Sequence, residues 1–220
     1  LTEEIPKPLI KVGDRPILWH VMKIYASQGF NNFILCLGYK GEKIREYFTK
    51  SNDKRWDIQF IDTGLESTKS ERIHKIKNLI KVENFFLAYG DDVADIDLRN
   101  LLKVHKNSGL ITTITIVRMI SGFGLVEIDK KNIIVEFKEK PLLDKWMNGG
   151  FIVMNKNIFK YLKLGELEKE VFQELVKQRQ ICAYKHQGKW RAMNTLKDNI
   201  ELNMLWKNGK AFWKIWEKDK

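Results

Sequence analysis

Phe85-Phe86-Leu87-Ala88-Tyr89-Gly90-Asp91-Asp92 holds five apolar or aromatic residues in a row, then a glycine and two carboxylates. The run is too short for a helix and too continuous for a strand with one wet face, so it reads as a strand buried on both faces of a parallel sheet. In open sheets of this kind, ligands bind beyond the carboxyl ends of the strands. Gly90 permits a close backbone approach there, and Asp91 can hold a hard cation such as Mg²⁺. On spacing alone the alternative stands equally: Asp91 and Asp92 begin a turn before the next helix.

Outward from this strand the same texture repeats. Upstream, Ile17, Leu18, Val21, Met22, Ile24 and Tyr25 recur at helical spacing between Asp14, a candidate N-cap, and Gly29. Phe33–Leu37 is a second short apolar run. A helical stretch from Gly41 to about Lys50, a strand at Ile58–Ile61 and a helix through Ile73, Ile76 and Ile80 complete that half. Strands alternating with helices mean βαβ units and a largely parallel sheet.

Downstream, Asp97 caps a helix that runs to about Lys106, before Ser108-Gly109 and a β-rich stretch at Ile111–Val117. From Gly122 to Met154 short segments at Leu125–Ile128, Ile133–Phe137 and Phe151–Met154 predict antiparallel strands. Helices at Glu168–Lys177 and Thr195–Asn208 flank a strand at Ile181–Tyr184. The expected fold is α/β: a Rossmann-like, open, mixed and mostly parallel sheet flanked by helices, with a small antiparallel addition.

The chain has 220 residues, 44% hydrophobic, enough for one sizeable core, and a single domain over 1–220 is expected. No apolar run approaches a membrane span and the start has no secretory pattern, so a cytoplasmic protein with no membrane partner is expected. The first residue is Leu, and an incomplete N-terminus is expected. Cys36 and Cys182 sit in apolar runs without metal spacing and read as buried free thiols. The net charge of +11 suits an anionic partner, yet Lys and Arg interleave with Asp and Glu along the chain. A solvated surface explains most of it, and nucleic acid is not an expected partner.

The four histidines have no mutual metal spacing; His20, beside Trp19, reads as packing. Trp206, Phe212, Trp213 and Trp216 read as anchors of the C-terminal tail. Lys7, between Pro6 and Pro8, and Lys140, before Pro141, are lysines of restricted freedom that suit a phosphate, or else plain surface lysines. The turn Asn148-Gly149-Gly150 can present amides to a sugar hydroxyl, or simply enter a strand.

Taken in order, KPLIKVGDRPILWHVMKIYASQGF, YGDDVADID, FKEKP, WMNGGF, Glu168-x-Glu170 and HQGKWRAMNTLKDN resemble the sugar-phosphate nucleotidyltransferases, and most of all glucose-1-phosphate cytidylyltransferases. The resemblance covers nearly the whole chain. It implies in-line attack of a sugar 1-phosphate on the α-phosphorus of a nucleoside triphosphate, with release of pyrophosphate and Mg²⁺ bridging phosphate oxygens. It assigns Asp91 to the metal, Lys7 to the triphosphate and Lys140 to the sugar phosphate. Glu139, Asn148, Gly149, Glu168 and Glu170 would line the sugar side, Thr63 and Gly64 would lie near the nucleotide, and Tyr89, Gly90, Asp92 and Arg72 would contribute to substrate binding. A homo-oligomer is implied as well.

The chain departs from the family pattern at four places. The glycine-rich loop of the family ends where Leu1 begins. The second metal aspartate is Asn194, a neutral oxygen ligand. Lys69-Ser70-Glu71-Arg72 replaces a glycine-rich segment and brings Glu71 toward the nucleotide. The stretch between Phe48 and Asp57 is shorter. Two readings follow: an active nucleotidyltransferase with CTP as donor, or a non-catalytic relative that binds a sugar nucleotide or a partner enzyme.

Overall fold

The computed structural model describes residues 5–51 and 55–217. A 3₁₀ turn at Lys7–Leu9 leads into a short hairpin, β1 (Lys11–Val12) and β2 (Arg15–Pro16), and then into α1 (Ile17–Ala26). Strands and helices next alternate: β3 (Asn32–Leu37), α2 (Gly41–Ser51), β4 (Asp57–Asp62), α3 (Lys69–Lys75), β5 (Asn84–Ala88), β6 (Asp92–Ala94), α4 (Leu98–Ser108) and β7 (Thr112–Ile120). The remainder is a ribbon, β8 (Leu125–Ile128) and β9 (Ile134–Lys138), then β10 (Leu142–Asn155), α5 (Phe172–Lys177), β11 (Ile181–Lys185), β12 (Trp190–Ala192) and α6 (Leu196–Lys207).

The fold is α/β, a mixed and mostly parallel sheet flanked by helices. The central sheet has the order β11-β7-β10-β5. β11 runs parallel to β7, while β10 runs against both β7 and β5, so three of its four strands point one way. β3 and β4 form a separate parallel pair, and β6 with β12 a short antiparallel one. The buried residues fall into three clusters: one under α1 and the C-terminal tail, one around α5 and the inner part of β10, and one between α1, α2 and β4.

Several boundaries move for local reasons. α1 starts at Ile17 with Pro16 as N-cap, not at Asp14, because Lys11 pairs with Pro16 and Val12 with Arg15 in a hairpin that Gly13 turns at φ +64°. The helix expected to run through Ile80 ends at Lys75, where Ile76 leaves helical geometry (φ −94°, ψ 6°) and a 3₁₀ turn takes over at Lys77–Leu79. The expected strand Phe151–Met154 is the inner part of a single 14-residue strand. Asp97 does cap α4, its side chain accepting from the Asn100 amide, and Gly109 ends that helix in the left-handed region. Cys36 and Cys182 are free but half-buried rather than buried.

The C-terminal aromatics anchor the tail on α1. Trp213 is fully buried and its Nε1 donates to His20 Nδ1 at 3.3 Å, while His20 Nε2 lies 2.8 Å from the Val12 carbonyl. That pattern places the proton on Nε2. Burial holds the imidazole neutral, its pKa lowered to about 4. Trp206 and Trp216 pack on the same ring. Trp213→Ala should therefore cost about 3–5 kcal/mol in urea unfolding, the usual range for a truncated core aromatic; a loss under about 1 kcal/mol would show that the tail does not hold α1.

Candidate active site

β5 delivers its polar residues to one edge of the sheet, as its apolar run requires. Lys7, on the turn between Pro6 and Pro8, directs its ammonium into an ion pair with Asp91. The same nitrogen donates to Asn194 Oδ1 at 3.0 Å, from the loop between β12 and α6. Two oxygens from distant parts of the chain thus converge on one cation. Asp91 is largely shielded and Lys7 about one-third exposed, so the pair is only partly screened by solvent. An ammonium has three donors and two are used here, which leaves one for an incoming anion.

Tyr89, the residue after β5, forms a second node. Its hydroxyl donates to Glu168 Oε1 at 2.6 Å and accepts from Asn148 Nδ2 at 3.3 Å. Burial first, then the Glu168 contact, pushes this hydroxyl above the usual tyrosine range. Lys69 of α3 ion-pairs with Glu168 and sits 4.2 Å from the centre of the Tyr89 ring. Burial raises the Glu168 carboxyl, but hydrogen bonds from Lys69 and Tyr89 outweigh it and hold the group below its ordinary pKa.

Asn148 reaches Tyr89 because β10 turns a corner. Asn148 Oδ1 accepts from the Gly150 amide at 2.9 Å, and Gly150 has φ +76°. Gly149 is packed so closely that a Cβ would lie 2.9 Å from Val117 Cγ1, and its carbonyl accepts from Trp190 Nε1 at 2.8 Å.

Thr63, Gly64 and Arg72 gather at the ends of β3 and β4. Arg72 Nη1 donates to Thr63 Oγ1 at 2.6 Å and to the Leu37 carbonyl at 3.0 Å, and its Nη2 donates to the Leu65 carbonyl at 3.0 Å. Gly64 has φ +91°, and its amide donates to Asp62 Oδ1. Arg72, Lys69, Tyr89, Gly90, Asp91, Asp92, Asn148 and Asn194 all line one groove.

Other expected residues lie elsewhere. Glu139 and Lys140 sit together in the exposed connection between β9 and β10, 3.7 Å apart, and are not among the residues lining the groove. Glu170 turns back on its own loop, accepting from the Glu166 amide at 2.6 Å. Glu71, expected near a nucleotide, instead closes a capping box on α3: its carboxylate accepts from the Thr68 amide at 2.8 Å, and Thr68 Oγ1 accepts from the Glu71 amide. Sequence reasoning assigned no role to Lys69 or Trp190. The Thr68-x-x-Glu71 pattern was the available signal for the helix that presents Lys69.

Asp92 is the odd group. It is almost fully buried at the start of β6, and burial, followed by repulsion from Asp91, raises its pKa to about 8. It is therefore largely a neutral acid at pH 7.

The chain matches the nucleotidyl transferase family over residues 1–209. It is 38% identical to a probable glucose-1-phosphate cytidylyltransferase of Bacillus subtilis (strain 168), across 98% of this chain and 94% of that one. It is 35% identical to the glucose-1-phosphate cytidylyltransferase of Salmonella typhimurium, across 96% of this chain and 92% of the relative. Among solved structures, HddC from Yersinia pseudotuberculosis superposes with a TM-score of 0.71 at 19% identity, over 92% of this chain and 90% of that one. A putative glucose-1-phosphate thymidylyltransferase from Bacillus anthracis gives 0.73 at 15% identity, over 96% and 92%. These structural likenesses speak to the fold.

The raised Asp92 pKa has a measurable consequence in metal-free buffer. Between about pH 4 and 8 the folded state keeps a proton that the unfolded chain releases, so stability should fall as pH rises through that window and level off above it. Asp92→Asn, which mimics the neutral acid, should flatten the slope; equal slopes for both proteins in urea titrations at pH 5, 6.5 and 8 would show that Asp92 is ionised in the fold.

Proposed function

The chain belongs to the nucleotidyl transferase family and is a sugar-1-phosphate nucleotidyltransferase of the cytidylyltransferase-like kind; on that premise we propose that CTP is its donor and glucose 1-phosphate its acceptor. An oxygen of the sugar phosphate attacks the α-phosphorus of CTP, a new oxygen–phosphorus bond forms, and the bond to the β-phosphate breaks to release pyrophosphate. No covalent enzyme intermediate is required. The protein's task is to hold two anions in line and to stabilise charge as it shifts between them.

The observation that carries this reading is the convergence of Asp91 and Asn194 oxygens on the Lys7 ammonium at the end of β5. A hard-oxygen pair that already holds one cation fits Mg²⁺, and Asp91 and Asn194 are the residues that would hold it. Bound there, Mg²⁺ supplies charge neutralisation at the phosphate oxygens. Lys7 offers its remaining donor to the triphosphate. Tyr89 and Asn148, joined to each other and to Glu168 and Lys69, form a polar wall of hydroxyl, amide, carboxylate and ammonium groups suited to sugar hydroxyls and their phosphate. Turnover is favoured over binding alone because both curated relatives carry enzyme names across nearly their whole length.

Pyrophosphate release should be measured on the gene product with Mg²⁺, glucose 1-phosphate and each nucleoside triphosphate in turn. Release with CTP is expected, and release only with another triphosphate would overturn the donor. Asp91→Ala should lower kcat/KM by about 100-fold or more, the usual scale for loss of a group that stabilises transition-state charge. Asn194→Asp should tighten Mg²⁺ binding in calorimetry, since it adds a charge to the ligand set; unchanged affinity would place Asn194 away from the metal.

A further inference from the structure

Two phosphorylated substrates that meet beyond the carboxyl end of β5 need two cationic seats there. Lys7 supplies one, bonded to Asp91 and Asn194. The family resemblance gives the other to Lys140, which the fold leaves at a distance. Leu142 pairs with Ile120 and Asn148 with Ile116, four residues nearer the groove along β7, or about 13 Å at the usual strand rise. Lys140 stands two residues before Leu142, exposed, with its ammonium turned to Glu139.

Among the described residues, Lys69, Arg72 and Lys81 are the cations that line the groove itself. Lys81 precedes β5, so it stands at the opposite end from Tyr89 and Asp91. Arg72 is fixed at the ends of β3 and β4, its guanidinium engaged by the Thr63 hydroxyl and the Leu37 and Leu65 carbonyls. Lys69 is left. It is the first residue of α3, and the capping box of Thr68 and Glu71 fixes the turn that presents it.

The Lys69 ammonium lies over the Tyr89 ring, 4.2 Å from its centre, and pairs with Glu168. Tyr89 also receives the Asn148 amide, so lysine, carboxylate, hydroxyl and amide meet in one cluster. An ammonium has three donors; Glu168 takes one, and contact with a ring face needs none. Two donors remain for a ligand. A Cβ built on Gly150 would contact both the Tyr89 ring and the Asp92 carboxylate, so the ring that Lys69 covers adjoins the carboxylates after β5. A half-exposed ion pair adds little to stability. Its use here is positional, because Glu168 holds a compact charge in place and leaves most of its donors open.

We infer that Lys69 touches the phosphate of the sugar 1-phosphate, and that Glu168 is the positioning residue that keeps it there. The inference rests on the acceptor class named above and not on CTP as the donor. Lys7 takes the triphosphate and Lys69 the acceptor phosphate, from separate parts of the chain, while Tyr89, Asn148 and Glu168 stand ready for the sugar hydroxyls. The acceptor phosphate is charged before and during attack, so the contact acts on binding more than on turnover.

Pyrophosphate release and calorimetry test this on the gene product. Lys69→Met should raise the KM for glucose 1-phosphate about 10- to 100-fold, the scale of charge-assisted hydrogen bonds, with kcat and the KM for the triphosphate changed by less than about 3-fold. Lys69→Arg should recover part of the loss, Glu168→Gln should raise the same KM by a smaller factor, and the urea midpoint of Lys69→Met should match the parent. In calorimetry the parent should bind glucose 1-phosphate at least about 10-fold more tightly than glucose, and Lys69→Met should lose that preference. Absence of turnover with every triphosphate would sink the proposed reaction but not this contact, which calorimetry then decides alone. No preference in the parent, an unchanged KM or preference in Lys69→Met, equal rises in KM for both substrates, or a larger effect of Lys140→Met would each overturn the inference.

Discussion

Gly150 takes φ +76° against Asp92, and a Cβ at that position would overlap the Asp92 carboxylate. Only glycine permits that approach, and the rest of the site depends on it. β10 pairs with β7 on both sides of the corner, with the register shifting between Asn148 and Ile152, whereas β5 follows β10 only from Phe151 to Asn155. Beyond that point β5 is released from the sheet. The bulge thus sets where β5 ends, sends Tyr89–Asp92 outward and aims Asn148 at Tyr89.

Electrostatics follow from this geometry. Asp91 and Glu168 each have a lysine, Lys7 and Lys69, brought from elements far away in sequence. Asp92 has no lysine bonded to it among the described residues and keeps its proton instead, so three carboxyl groups at one edge cost less than three buried charges would. Arg72 is satisfied by carbonyl and hydroxyl oxygens rather than by a carboxylate, so its full charge remains.

How much of this the sequence disclosed depends on what each feature needs. The Phe85–Tyr89 run and the carboxylates after it were legible because strand type and strand end are local properties. Asp97 was legible as a cap for the same reason, and Thr195, read only as the start of the last helix, is its N-cap and forms a capping box with Asp198. Glu71 was misplaced because its alignment with a ligand-facing segment outweighed the local Thr68-x-x-Glu71 pattern, which alone explains its position. Lys69 could not be found from spacing: its partner Glu168 lies 99 residues away. The partial exposure of β3 was hidden for a related reason. Burial of a sheet strand is decided by the neighbour on each side, and FILCL says nothing of which neighbour stands beside it.

The site's charge balance then bears on what it can accept. Lys7, Lys69 and Arg72 contribute three positive charges, Asp91 and Glu168 two negative ones, and a largely protonated Asp92 none, so the mouth is cationic at neutral pH despite its three carboxyl groups. Two phosphorylated substrates repel each other most strongly as they approach, and a fixed cationic surround lowers that repulsion without reorganising at the moment of reaction. Had Asp92 been ionised, the same residues would sum to zero. Burial of one carboxyl beside a glycine corner therefore removes a negative charge from the place where bulk water and salt would screen its repulsion of an anion least.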